Sequence, residues 1–374
     1  MDATKVVTLK AIEATPSTFK DYGQVIEASP DGQEFGSHDA QLDLSQGTPR
    51  FYIMHIENRP LKFSSITHHA SVTQCLGSIG GHVWYLGVAK SSIVDSNEIK
   101  DGTSKKIVQS PSGHSYVPPA IEDVQVFKVA GSKFLKLNRG TWHAGPLFKA
   151  AAIDFYNLEL SNTNVLLHMV SLVEDSILPV YCSATSIMEA PKLKVVTLKA
   201  IEATPSTFKE FGQVVEASRD GQEFGPHDAQ LDLSQGTPRF YIIKLEKCPL
   251  KFSSITHHAI VTQCLGSIGG HVWYLGVAKS SVVDSNEIKD DTGKKIVQSR
   301  SGHSYVPPAI EDVQVFKISG SKFLKLNRGT WHAGPLFKAA AMDFYNLELS
   351  NTNETDHTTH YFKKDDGVMF VIDD

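Results

Sequence analysis

Two short clusters hold most of the side chains able to do chemistry. The first runs from His69 to Gly81 and contains Gln74; the second is Asn138-Arg139-Gly140-Thr141-Trp142-His143. Both recur further along the chain, as His258 with Gln263 and as the run Asn327 to His332. Imidazoles titrate near neutral pH, so His69, His143, His258 and His332 are candidates for proton transfer or for holding a metal. Gln74 and Gln263 add a neutral amide as the third member of a metal set. Lys136, Asn138, Arg139 and Trp142, with Lys325, Asn327, Arg328 and Trp331, are the candidate substrate-binding residues, and the cations among them suit a carboxylate. Together these types suit acid–base or metal-assisted chemistry.

The elements that must carry them read as strands. Phe51 to Ile56, Leu61 to His69, Val72 to Leu76, Val83 to Ala89, Val124 to Val129, Lys133 to Leu137 and Ala152 to Leu160 are short and rich in β-branched and aromatic residues. Gly, Pro, Asn and Ser separate them, which predicts a mainly β chain built as a barrel or double-sheet jelly roll. Period-two counting places His69 on the face opposite His68, so a regular strand cannot aim both inward. It likewise sets Phe134, Lys136 and Asn138 against Leu135 and Leu137. A short N-terminal helix is predicted over the segment that starts at Thr15-Pro16 and stops at Gly23.

Residues 5–164 match 194–353 at a constant offset without a gap, with 18 mismatches in 160 positions. That is a duplicated whole domain, giving copy 1 over 1–164, a linker over 165–187 and copy 2 over 188–374. After Asn164 the copies diverge. The copy 2 ending, Gly367 to Ile372, predicts a terminal strand that copy 1 lacks, unless Ile177 to Tyr181 takes its place. Glu174, Asp175 and Pro179 break up residues 165–187, which excludes a membrane span there.

Net charge is −5 over 374 residues, with acids and bases mixed. Nothing resembles a basic footprint for nucleic acid or a polybasic membrane patch. The first residues carry no signal-peptide pattern, and Cys75, Cys182, Cys248 and Cys264 make no disulfide framework; a cytoplasmic, reducing setting is expected. Cys75 and Cys264 read as small core residues because no motif places a base beside them. Gly77, Gly80 and Gly81 suit a turn between strands, since no helix follows to make a phosphate loop.

The spacing of His69, Gln74, Gly81 and the distant Asn138 to His143 resembles the two-part signature of the cupin superfamily. Thr67 stands in its first His slot, Gln74 in its Glu slot and Asn138 in its Pro slot. More narrowly, His69 to Gln74, Arg139, Trp142-His143, Pro146-Leu147-Phe148 and Asp154-Phe155 resemble the ureidoglycolate lyase family, over nearly the whole of each copy. The resemblance implies two tandem cupin-like barrels acting as a carbon–nitrogen lyase. Its reaction would cleave ureidoglycolate to glyoxylate and urea in allantoin breakdown.

In that reading Arg139 and Lys136 hold the carboxylate, while His69 and His143 move protons or hold a divalent metal, nickel being used by some members. The family is commonly dimeric, which implies an internal pseudo-dimer of the two copies or a homodimer. Many members carry Tyr-His before the Arg, where this chain has Leu137-Asn138, so one potential acid or base is missing. The alternative is a non-catalytic cupin that binds a small carboxylate or ureide. A metal-dependent oxygenase or isomerase is a third class, and the thin ligand set speaks against it.

Overall fold

The computed structural model describes residues 7–94, 107–110, 113–163, 171–172, 194–283, 296–299 and 301–374. Residues 177–181 and most of the linker lie outside them. In the first copy the strands are β1 (Ala11–Glu13), β2 (Gly23–Pro30), β3 (Pro49–Glu57), β4 (Phe63–Ser64), β5 (Gln74–Ser78) and β6 (Trp84–Ala89). They continue as β7 (Ile93–Val94), β8 (Val108–Gln109), β9 (Ser115–Tyr116), β10 (Gln125–Val129), β11 (Lys133–Leu137), β12 (Trp142–His143) and β13 (Ala152–Leu160).

One sheet has the order β1-β10-β6-β12. The other is built by antiparallel pairing of β2 with β11, β11 with β5, β5 with β13 and β13 with β3. Alternation decides what lies between them. Trp84, Leu86, Val88 and Phe127 from the first sheet pack with Met54, Leu76, Leu135, Leu137 and Phe155 from the second in one buried cluster. Gly77 on β5 permits the close approach of β13, because a Cβ there would meet the Tyr156 ring at 2.5 Å and the Phe134 Cβ at 2.7 Å.

Three expectations change. Residues 16–22 form turns rather than a helix. Phe19 N–H donates to the Thr15 carbonyl (3.0 Å), and Tyr22 and Gly23 then both return to the Phe19 carbonyl (2.9 and 3.1 Å), so the turn closes on itself as Phe19 and Tyr22 plug the core. The strand expected over Leu61 to His69 shortens to β4, followed by an isolated bridge from Thr67 to His143. The edge of β4 is covered by Ser171–Leu172, an antiparallel pairing that sequence patterning did not anticipate.

The second copy repeats the order from Lys194–Glu202 to Ala341–Leu349 and adds Thr358–His360 and Val368–Asp373. The expected terminal strand is the last of these. It runs parallel to Lys194–Lys199 and antiparallel to Lys251–Phe252, with Phe370 stacked on Phe252 at 5.0 Å.

By contacts the chain divides into two compact units, Met1–Glu27 with Ala40–Val180 and Ala217–Asp228, and Ala28–Asp39 with Tyr181–Glu216 and Ala229–Asp374. Each unit therefore includes a segment drawn from the other copy's sequence. In the first, Arg50 is 2% exposed and donates from Nε to Asp228 Oδ1 (3.1 Å) and from Nη2 to the Gln222 carbonyl (2.8 Å). In the second, Arg239 does the same to Asp39 and Gln33.

Candidate functional site

On the inner face of β13, Asn157 and Glu159 continue the alternation begun by Phe155. Opposite them lie Tyr52 on β3 and Gln74 on β5. Above this polar floor opens a cavity of about 270 Å³, lined by His69, His143, Arg59, Gln74, Asn157 and Glu159 among others.

Backbone pairing brings the two histidines together. Thr67 N–H donates to the His143 carbonyl at 2.7 Å and His143 N–H returns to Thr67 at 2.6 Å, while Gly140 N–H ties the His69 carbonyl at 2.8 Å. The imidazole centroids of His69 and His143 are 5.2 Å apart. Desolvation pushes His143 down to about 4 and His69 down to about 3, with the neighbouring His143 adding to the second shift. Both are neutral at pH 7. His143 Nδ1–H donates to the Thr141 carbonyl at 3.2 Å, which leaves Nε2 as a lone-pair acceptor.

Beneath them sits a buried carboxylate. Glu159, 1% exposed, accepts from Tyr52 O–H at Oε1 (3.0 Å) and from Gln74 Nε2–H at Oε2 (3.0 Å), and Arg50 Nη1 stands 4.0 Å away. Burial raises its pKa, opposed by these partners. At the cavity's edge Arg59 pairs with Asp220 at 2.8 Å, both side chains about two-fifths exposed. Such a pair is weak and readily exchanged for another anion.

The residues expected to bind substrate are not among those lining this cavity. Lys136 and Asn138 bond to one another (2.8 Å) on the β11 face opposite Leu135 and Leu137, where burial lowers the Lys136 pKa. Arg139 is committed to Asp43 (2.9 Å) and the Ala70 carbonyl (3.0 Å), so it braces the loop before β5. Trp142 donates to Ser92 Oγ (2.8 Å) and packs against His68, whose Nε2 lies 2.7 Å from His114 Nε2. The guanidinium lining this cavity is Arg59, and neither Arg139 nor Lys136 lines it. Lys325, Asn327, Arg328 and Trp331 make the matching bonds in the second copy.

Of the predicted metal set, His69, Gln74 and His143 do share the cavity. They amount to two imidazoles and an amide whose orientation Glu159 fixes, and among the described residues no three His, Cys, Asp or Glu side chains are placed to hold an ion. That set does not fit a tightly held divalent metal.

In the second copy His258 and His332 are 5.4 Å apart by centroid, held down to about 4 and about 3 by burial. Here His258 Nδ1–H donates to the Asp356 carbonyl (2.8 Å), and the Asp356 carboxylate clamps Ala259 and Ile260 N–H at 2.9 and 2.8 Å. The Gln263, Tyr241, Glu348 and Asn346 bonds repeat the floor. Cys248 replaces Arg59.

Parity along Asn157-Leu158-Glu159 could have revealed the floor, since two polar residues share the face of Phe155 in an otherwise apolar strand. Nothing local to residues 50–59 shows that Arg50 and Arg59 meet Asp228 and Asp220.

No protein-family model matches the chain. No curated protein matches it either. Among solved structures it is similar to an oxalate decarboxylase of Lactobacillus farciminis in a formate complex, with TM-score 0.34 and 8% identity over 91% of each chain. It is also similar to a two-residue deletion mutant of the Bacillus subtilis oxalate decarboxylase, with TM-score 0.34 and 9% identity over 97% of this chain and 89% of that one. Likenesses of that size carry no argument about chemistry. The sheet order does fix the architecture. This chain is mainly β, a tandem pair of double-sheet domains each packed around its own core.

Proposed function

We propose that the first site is a ureidoglycolate lyase centre, releasing glyoxylate and urea. The observation that supports this best is one cavity holding two neutral imidazoles and a displaceable guanidinium. Ureidoglycolate is a hydroxy acid whose carbinol carbon bears the ureido nitrogen. Cleavage takes the hydroxyl proton, forms the aldehyde C=O, and sends the C–N electron pair to nitrogen, which is then protonated.

The net proton movement is from oxygen to nitrogen, so one imidazole suffices as base and then acid. His143 Nε2 is the accepting lone pair, and His69 is a second neutral imidazole beside it. Arg59 takes the carboxylate in place of Asp220. Non-catalytic ureide binding is the second reading, and Cys248 favours it for the second copy because the cation is absent there.

Product analysis tests the lyase reading. Incubation of the full chain with ureidoglycolate should yield glyoxylate and urea in equal amounts above spontaneous decay. Ammonia in place of urea, or no acceleration, would contradict it.

A further inference from the structure

We propose that Gln74 and Asn157 are the specificity-determining pair of the first site, two amide carbonyls that Glu159 leaves without donors and that would take the N–H groups of a ureido ligand. Their orientation follows from a chain of donors. The carboxylate can only accept, so Gln74 must turn its NH2 toward Glu159 Oε2 and its carbonyl away. Tyr52 spends its O–H on Glu159 Oε1 and therefore accepts from Asn157 Nδ2–H at 3.0 Å, which turns the Asn157 carbonyl away as well.

Both freed oxygens are buried, both residues line the cavity, and among the described residues neither oxygen has a partner. Gln74 is 9% exposed and Asn157 1%. Buried carbonyls without a donor are costly, and a ligand that supplies N–H groups removes the cost. The second copy repeats the arrangement: Gln263 Oε1 and Asn346 Oδ1 are likewise buried without partners.

The sign of the field excludes the opposite orientation. Two carbonyl oxygens backed by a buried carboxylate repel an anion, so a ligand carboxylate belongs at Arg59 and the ureido end at the floor. The carbinol carbon then lies between them, beside His69 and His143. The inference deepens the lyase reading and rests on it for the choice of ligand, yet its test needs no turnover.

N-carbamoylglycine carries the carboxylate and the ureido group but no hydroxyl, so it cannot be cleaved. N-acetylglycine differs from it by a methyl in place of the terminal NH2. Isothermal titration of the full chain should show N-carbamoylglycine binding about ten-fold more tightly, the size expected of two neutral hydrogen bonds. The paired substitution Asn157→Leu with Asn346→Leu should shrink that preference several-fold. Equal affinities, binding of neither ligand, or an undiminished preference in the paired variant would overturn the proposal. The comparison on the unaltered chain decides it even if the variant does not fold. A clear preference without any glyoxylate release would sink the lyase reading and leave this one standing.

Discussion

The neutrality of His143 has a measurable consequence for stability. Its pKa lies near 6.5 in an unfolded chain and about 4 in the folded one, because burial disfavours the imidazolium. On acidification the unfolded state takes up the proton first. The stability His143 contributes is thus fully present above pH 6.5 and is lost as pH falls toward 4. At about 1.4 kcal/mol per pH unit, the loss between pH 7 and pH 5 is roughly 2 kcal/mol for this one side chain. His69, held down to about 3, acts in the same direction, whereas Glu159, with its raised pKa, opposes it. Comparing the full chain with His143→Asn isolates the single term. Guanidinium unfolding at the two pH values should show the unaltered protein losing about 2 kcal/mol more than the variant, in the transition that the substitution shifts. Equal losses, or an imidazole NMR titration of His143 near 6.5, would refute the burial argument.

Arg59→Cys, which copies the second repeat, should lower kcat/KM for glyoxylate release by about ten- to a hundred-fold, as expected for a lost charge-assisted carboxylate contact of about 1.5–3 kcal/mol. Its melting temperature should hardly move, since exposed ion pairs contribute about 0–1 kcal/mol. Arg50→Ala removes a cation from between Asp228, 0% exposed, and the floor carboxylate Glu159. It should destabilise the first unit by about 3–5 kcal/mol in denaturant melts, the usual cost of stranding a buried charge. Full-chain variants should also separate the copies: His143→Ala should abolish most glyoxylate release while His332→Ala leaves it largely intact, because the Arg59 cation is present only in the first.

Fold and site were legible to different depths. Alternation and turn residues marked β5, β10, β11 and β13 to within a residue or two, because one buried face per strand imposes a period of two. The same parity correctly separated His68 from His69, and the structure sends the first to His114 and Trp142 and the second to the cavity. The strand expected over Leu61 to His69 is cut to Phe63–Ser64, with one isolated bridge from Thr67 to His143 beyond it. Sequence proximity of Arg139 to His143 does not place both in one cavity, and in the structure Arg139 pairs with Asp43 instead. Arg59 and the Arg50–Asp228 pair depend on contacts across more than 160 residues, which no local pattern encodes.

His69 and His143 line one cavity, and the proposed lyase chemistry there would need no resident metal. The most direct measurement is glyoxylate release by the full chain, with and without a strong chelator, against spontaneous decay and against His143→Ala with His332→Ala. The expected result is a rate well above decay, unchanged by the chelator and lost in the double variant. A rate that disappears on chelation would contradict the metal-free site, and a rate that survives in the double variant would contradict the role given to the histidines.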